Sequence, residues 1–282
     1  MILVDLNQVL LAGLMAQISA QKNTTLDESL IRHMVLNIIR THIKNFRGEY
    51  GEVVLCCDNR KYWRKDFFPF YKANRKKTRE KSDLDWHLIF DMLAKFKQEL
   101  RETFPYKVID VEGAEADDII GTLVPLYCRG EKILILSSDG DFLQLQKYPN
   151  VKQYNPSLKK YVKSENPALE LKEKIIRGDK GDGIPNIFSP GDCFVRDLRQ
   201  KPITKGVIQK LMESNPMEWE EQTAKTGFSR NKILIDLEFI PDDIKERIIN
   251  TYEETKPASR QKLLNYFIEH KLKNLMDVIE EF

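Results

Sequence analysis

The sequence predicts an α/β fold, a doubly wound and mostly parallel sheet, with a smaller all-helical C-terminal domain after it. Three observations predict this. Strand-like runs recur at Ile2–Leu6, Val53–Asp58, Lys107–Val111 and Ile133–Ser137, and the first, second and fourth are nearly continuous apolar runs, as strands buried on both faces are. Between the first two, Leu26, Leu30, Ile31, Met34, Val35, Ile38, Ile39, Ile43 and Phe46 keep the three-and-four spacing of an amphipathic helix, which makes the unit βαβ. Beyond about Lys163 the strand signals stop. Helical stretches follow at Ala168–Arg177, Thr204–Ser214, Ile244–Thr255 and Arg260–Phe267, punctuated by Pro185, Pro190, Pro202, Pro216, Pro241 and Pro257, which end or start helices.

A chain of 282 residues, 41% hydrophobic, can fill one large core or two modest ones, because domains run to about 100–200 residues. We place an α/β domain at 1–164 and a helical domain at 165–282, joined near Lys163–Pro167. Lys and Arg total 45 against 43 Asp and Glu, a net charge of +2, so overall charge does not mark a nucleic-acid binder and its distribution must be read instead. Cys56, Cys57, Cys128 and Cys193 show no CxxC spacing, which fits a reducing compartment. Met1–Asp5 is too short for a signal peptide, and no segment holds the roughly 18 apolar residues of a membrane span. The expectation is a soluble, cytoplasmic monomer.

Asp5, Asp58 and Asp139 each follow an apolar run, and in an open parallel sheet the carboxyl ends of strands share the edge where ligands bind. Any one of them alone reads as a turn residue or helix N-cap. Their coincidence argues for more. Glu115, Asp117 and Asp118 open a helix, Asp141 follows Asp139 by two, and Asp179 and Asp182 stand in Gly178-Asp179-Lys180-Gly181-Asp182-Gly183. Converging carboxylates repel, so some would hold protons unless divalent cations neutralised them. Oxygen-only donors select magnesium, with manganese as substitute, and His33, His42, His87 and His270 lie outside the acidic motifs, which disfavours zinc. A calcium loop of the D-x-[DN]-x-[DN]-G type is absent. Two ions about 4 Å apart serve phosphodiester cleavage.

From Arg60 to Lys81 basic residues crowd: Arg60, Lys61, Arg64, Lys65, Lys72, Arg75, Lys76, Lys77, Arg79 and Lys81, with Tyr62, Trp63, Phe67, Phe68, Phe70 and Tyr71 among them. Charge runs are usually solvated helix faces, but the aromatics argue for phosphate tracking beside base-stacking platforms. Lys72 and Arg75 are three apart and share a face if this segment is helical.

These motifs together resemble the flap endonuclease and 5′-3′ exonuclease family, nearest to its branch of ribonucleases H from T-even-like phages. The carriers are Leu3-Val4-Asp5-Leu6-Asn7, Leu55-Cys56-Cys57-Asp58-Asn59, Tyr62-Trp63-Arg64-Lys65-Asp66-Phe67, Tyr71-Lys72-Ala73-Asn74-Arg75, Glu115-Ala116-Asp117-Asp118, Ser138-Asp139-Gly140-Asp141-Phe142 and Gly178-Asp179-Lys180-Gly181-Asp182. The resemblance covers nearly the whole chain. It implies a PIN-like 5′ nuclease fold, with a basic helical arch at about 60–95 and a helix-three-turn-helix-like element in the helical domain. It places Asp58, Glu115, Asp117 and Asp139 around a first metal with Asp5 in support, and Asp141, Asp179 and Asp182 at a second. The role of Asp118 stays open. Lys72 and Arg75 match the motif that meets the scissile phosphate; Arg64, Lys65, Tyr71, Lys76, Lys77, Lys180 and Lys205 join them as nucleic-acid contacts.

The implied activity is that of a phosphodiesterase on 5′ flaps, nicked or branched duplex and RNA–DNA hybrid. It would remove RNA primers from lagging-strand fragments during phage DNA replication. A sliding clamp and a single-strand-binding protein are the protein partners considered, although Ile279–Phe282 contains no recognisable clamp-binding peptide. The sequence departs from the family where Gly183-Ile184-Pro185-Asn186 runs into Ile187–Phe194 instead of a Gly-rich turn, and a Lys-Gly pair comes only at Lys205-Gly206. This leaves the duplex-binding residues and a monovalent-cation site undefined. The alternatives weighed are a PIN-type endoribonuclease, disfavoured by the basic aromatic stretch and the Asp179/Asp182 pair, and a non-catalytic structure-specific DNA-binding protein, disfavoured by the intact acidic motifs.

Overall fold

The computed structural model describes residues 1–20, 28–80 and 84–282. Leu26 and Lys81 of the expected elements, and the side chain of Lys77, lie outside the described residues. The four expected strands form as Ile2–Asp5 (β1), Val53–Cys56 (β2), Lys107–Ile109 (β3) and Ile133–Leu136 (β4). Val151–Asn155 (β5) and Lys160–Val162 (β6) extend the sheet to the order β3-β2-β1-β4-β5-β6. All pairs are parallel except β5 with β6. Neither added strand carries an apolar run, because one is half solvated and the other is the edge.

Alternation along the central strands sorts their side chains into two cores, as the period of two requires. Ile2, Val4, Val53, Leu55, Val108, Leu134 and Leu136 face one cluster; Met1, Leu3, Val54, Cys56, Ile109, Ile133 and Ile135 face the other. The first face is covered by Leu6–Ala20 (α1), Glu28–Tyr50 (α2) and, beyond Trp63–Phe67 (α3) and Asn74–Glu80 (α4), by Trp86–Thr103 (α5). Ala116–Tyr127 (α6) and the 3₁₀ segment Gly140–Lys147 cover the second. Strand order reverses between β2-β1 and β4, so β1 sits at the topological switch point with its carboxyl end open.

The region after Lys163 is helical: Pro167–Arg177 (α7), Lys205–Glu213 (α8), Gln222–Ile235 (α9), Asp242–Glu254 (α10), Gln261–Glu269 (α11) and Lys273–Met276 (α12). Between α7 and α8 the chain makes successive turns at 180–183, 187–189 and 191–197, which supplies the helix-three-turn-helix-like element. This region does not gather around one core of its own. Ile176, Ile187, Trp219 and Ala224 form a local cluster, but Ile244, Ile248 and Tyr252 of α10 join the second sheet face, and Leu263, Tyr266, Phe267, Leu275 and Phe282 join the first. The apolar stripes of α10 and α11 find the sheet a larger partner than one another.

Phe267 is fully buried, its ring 6.2 Å from that of Phe104 and 5.3 Å from that of Phe282. Phe267→Ala is expected to cost about 3–5 kcal/mol by emptying this site, with urea unfolding still a single transition. A loss below about 1 kcal/mol, or a separate early transition, contradicts a shared core.

Candidate active site

Strand ends deliver the acids to one edge. Asp5 is the last residue of β1, paired in register with Cys56, and its Oδ1 accepts from the Gln8 amide (3.4 Å) while its Oδ2 accepts from Ser137 Oγ (2.8 Å). Asp58, two residues past β2, accepts from the Ala116 amide at the start of α6 (2.8 Å) and from Asn7 Nδ2 (3.1 Å). Asp139 caps the 3₁₀ segment by accepting from the Asp141 amide (2.9 Å). Both readings of a strand-end aspartate hold at once: Asp5 and Asp139 cap local backbone, Asp58 caps the distant start of α6, and all three face the same edge. Asp117 lies in the first turn of α6, where the helix dipole favours an anion.

Asp179 and Asp182 come from the turn after α7. Gly178, at φ 70°, starts it; a Cβ there would sit 2.4 Å from the Ile184 carbonyl. Reciprocal amide bonds between Asp179 and Ile184 (2.8 and 2.7 Å) close the turn, and Asp179 Oδ1 accepts from the Asp182 amide (3.1 Å). The turn is therefore held as a unit against the sheet edge.

The charge is compensated by cations of the chain itself. Lys72 Nζ lies 2.6 Å from Glu115 and 3.8 Å from Asp182, Arg75 Nη2 lies 2.6 Å from Asp182, and Lys174 of α7 pairs with Asp141 and, at 3.0 Å, with Asp179. Among the described residues no three carboxylates converge closely enough to hold an ion as they stand. Yet burial, then the neighbouring Asp58 and Asp139, pushes Asp5 up to about 7. Burial also raises Asp58 and Asp139 against the pull of Lys72 and Lys174, and burial with Asp139 and Asp5 lifts Asp117 well above the usual range. At Asp182 burial pushes upward too, but Lys72 and Arg75 more than offset it and hold the carboxyl low. An oxygen-only cluster with such unmet demand for positive charge fits hard divalent cations.

The basic stretch differs from the sequence expectation in three respects. Arg64, expected on nucleic acid, is 2% exposed and bonded to Glu115 (3.1 Å), Asp118 (2.8 Å) and the Leu234 carbonyl (2.9 Å). Tyr71 is also buried, and its hydroxyl braces Glu115 (3.1 Å) and Asp182 (3.0 Å). Neither can be reached by a strand, because the acids claim them from inside. Lys72 precedes α4 at φ 56°, so it shares no helical face with Arg75; the two meet at Asp182 instead. Lys65, Lys76, Lys180 and Lys205 are exposed. The segment is docked on the acidic turn by Lys72 N to Asp182 O (2.7 Å), Asn74 Nδ2 to Lys180 O (2.7 Å) and Arg75 Nε to Gly181 O (3.2 Å).

Residues 1–175 match the family profile of the 5′-3′ exonuclease, N-terminal resolvase-like domain. The chain belongs to the 5′-3′ exonuclease family. Residues 165–282 match the profile of the C-terminal part of T4 RNase H. Ribonuclease H of Enterobacteria phage T4 is 37% identical over 291 residues, 99% of this chain and 95% of that one. The 5′-3′ exonuclease of Buchnera aphidicola subsp. Acyrthosiphon pisum is 31% identical over 161 residues, 54% of each chain. Among solved structures, T5 5′-exonuclease with bound zinc superposes with a TM-score of 0.62 at 17% identity, covering 90% of this chain and 98% of that one. A bacteriophage T5 flap endonuclease complex with DNA and metal ions gives 0.60 at 16% identity, covering 90% and 99%. These likenesses establish the fold.

Within this 5′ nuclease, Asp118 acquires a role: fully buried, it accepts from Trp63 Nε1 (3.2 Å) and the Glu115 amide (2.8 Å) and pairs with Arg64, so it fixes the start of α6. The sequence assigned no role to Asn7, Ser137 or Lys174, although Asn7 and Ser137 lie two residues from Asp5 and Asp139, where a supporting polar group is cheap to place. Lys174 carries no such signal in an ordinary amphipathic helix. No helix among the described residues is long and apolar enough to cross a membrane.

Two outcomes follow from this geometry. Arg64→Met leaves Asp118 without its cation in the interior and takes one of two cations from Glu115, and should cost about 3–5 kcal/mol of stability, while duplex affinity of the folded fraction stays near wild type; an affinity loss without destabilisation would return Arg64 to the nucleic-acid surface. For pH, a raised carboxyl stabilises the fold below its unfolded value of 3.8 and loses that contribution as pH rises through its folded value, about 7 for Asp5. Metal-free protein should therefore lose melting temperature between about pH 4 and 7. An added hard divalent cation should restore several degrees at pH 8 and little at pH 5.5. Equal increments at both pH values would mean that the ion binds elsewhere.

Proposed function

We propose that this 5′ nuclease is a divalent-metal-dependent 5′-3′ exonuclease and flap endonuclease on DNA and RNA–DNA duplexes, acting in RNA primer removal during phage DNA replication. The observation that carries the proposal is that Asp5, Asp58, Asp117 and Asp139 at the sheet edge lie within electrostatic reach of one another, and Asp139 of Asp179 and Asp182 in the docked turn, with Lys72 and Arg75 on Asp182. Asp58, Glu115, Asp117 and Asp139 with Asp5 would hold a first magnesium, and Asp141, Asp179 and Asp182 a second; manganese would replace either. Bound there, the ions supply Lewis acidity for water activation and for the charge on the attacking and leaving oxygens.

The residues of the chain do the remaining work. Lys72 and Arg75, now engaged with Glu115 and Asp182, would exchange these partners for the scissile phosphate and hold it in line, because their donors already converge on the acids. Exposed Lys65 and Lys76 would track the strand near the arch, and Lys180 and Lys205 would contact the duplex from the helical domain at 165–282. A PIN-type endoribonuclease accounts less well for the acidic turn after α7, which is docked on the basic segment by backbone and side-chain bonds.

Single-turnover cleavage of a 5′-flapped duplex, labelled at either end and with DNA or RNA at the 5′ terminus, tests the reading. Lys72→Ala and Arg75→Ala should each lose about 2–4 kcal/mol of transition-state stabilisation, roughly a hundredfold in rate. Asp117→Asn should lose orders of magnitude with duplex affinity retained, and Asp182→Asn should need more magnesium for half-maximal rate. Wild-type rates for both basic variants at saturating enzyme, or cleavage in excess chelator, would remove the assignment.

A further inference from the structure

Lys174 has no part in the activity as argued so far, yet it stands where the second cation is proposed to bind. Its stem leaves the last turn of α7, and its ammonium pairs with Asp141 from the segment after β4 and with Asp179 from the turn after α7. It thus bridges acids from the two sides of the site. Both partners are held by backbone: the Asp141 amide is bound to Asp139, and Asp179 is locked by its reciprocal bonds to Ile184. The ammonium is the mobile partner, since a lysine stem has four rotatable carbons and this side chain is 27% exposed. Its field also reaches Asp139 and Asp182, opposing at both the upward push of burial.

We infer that Lys174 is an exchangeable counter-ion, an internal ammonium that a divalent cation must displace from Asp141 and Asp179, and that it thereby sets the cation concentration at which the second position fills. The inference rests on the metal assignment above and deepens it. An ammonium and a divalent cation together would crowd three positive charges onto two carboxylates, so filling the position drives the ammonium toward solvent; in the metal-free protein the ammonium screens the repulsion between Asp141 and Asp179. Lys72 makes a similar bridge between Glu115 and Asp182, but it is assigned to the phosphate, whereas Lys174 pairs with Asp141 and Asp179 instead.

Manganese titration of the metal-free full chain without nucleic acid, followed by electron paramagnetic resonance of the free ion, tests this. Wild type should show a tighter and a weaker event. In Lys174→Met the weaker event should tighten about tenfold, the order expected when two partly screened ion pairs no longer compete, while the tighter one stays. Lys174→Arg, which keeps the charge, should bind no more tightly than wild type. The metal-free melting temperature of Lys174→Met should fall and manganese should restore it; if that variant does not fold, Lys174→Gln carries the same expectation. A weaker event that is unmoved or weakened in both neutral variants, yet lost in Asp179→Asn, overturns the inference alone. Wild-type binding that neither Asp117→Asn nor Asp179→Asn alters overturns the metal assignment and the inference with it.

Discussion

Mutual repulsion among carboxylates at one sheet edge is the constraint around which the rest of this molecule is arranged. Parallel strands β1, β2 and β4 end on the same side, with Asp5 closing the first and Asp58 and Asp139 just beyond the other two, so burial and proximity both work against ionisation. A low-dielectric edge cannot carry that charge unaided. The fold answers with the amino end of α6 at Asp58 and Asp117, the buried guanidinium of Arg64 at Glu115 and Asp118, and the ammonium groups of Lys72 and Lys174.

This compensation also explains how distant parts of the chain meet. Residues 60–80 and the turn at 179–184 hold few apolar groups in common beyond Phe68, Tyr71 and Ile184. What docks them is charge and backbone: Arg75 on Asp182, Lys72 N on Asp182 O, and Asn74 on Lys180 O. Gly183, at φ 71°, allows the approach, because a Cβ there would sit 2.9 Å from the Phe70 carbonyl. Elsewhere apolar burial does the joining, and it carries α10 and α11 back onto the sheet. The molecule is thus held apolar on its two faces and ionic at the edge where the carboxylates gather.

How much was legible beforehand follows from what each signal depends on. Strands buried on both faces write their burial directly as apolar runs, so β1, β2 and β4 could be read, and with them the edge that gathers Asp5, Asp58 and Asp139. Half-solvated β5 and edge β6 have no such run. Helix α1 follows β1 without a loop, its first residue still apolar, and so it merged into the strand pattern. The acidic motifs were legible because their residue types are costly to bury without a use.

The fold class, the acids and the density of basic side chains between Arg60 and Lys81 were thus readable from residue order alone. Which of those side chains face solvent emerged only on packing. Arg64 and Tyr71 look no different in sequence from Lys65 and Lys76, yet two are buried against carboxylates and two are exposed. The cause is non-local: Glu115, Asp118 and Asp182, about 45 to 110 residues further along, claim the first two, and a pairing between distant charges leaves no periodicity to read. The bridging place of Lys174 was settled in the same way, by packing α7 against the segment that follows β4.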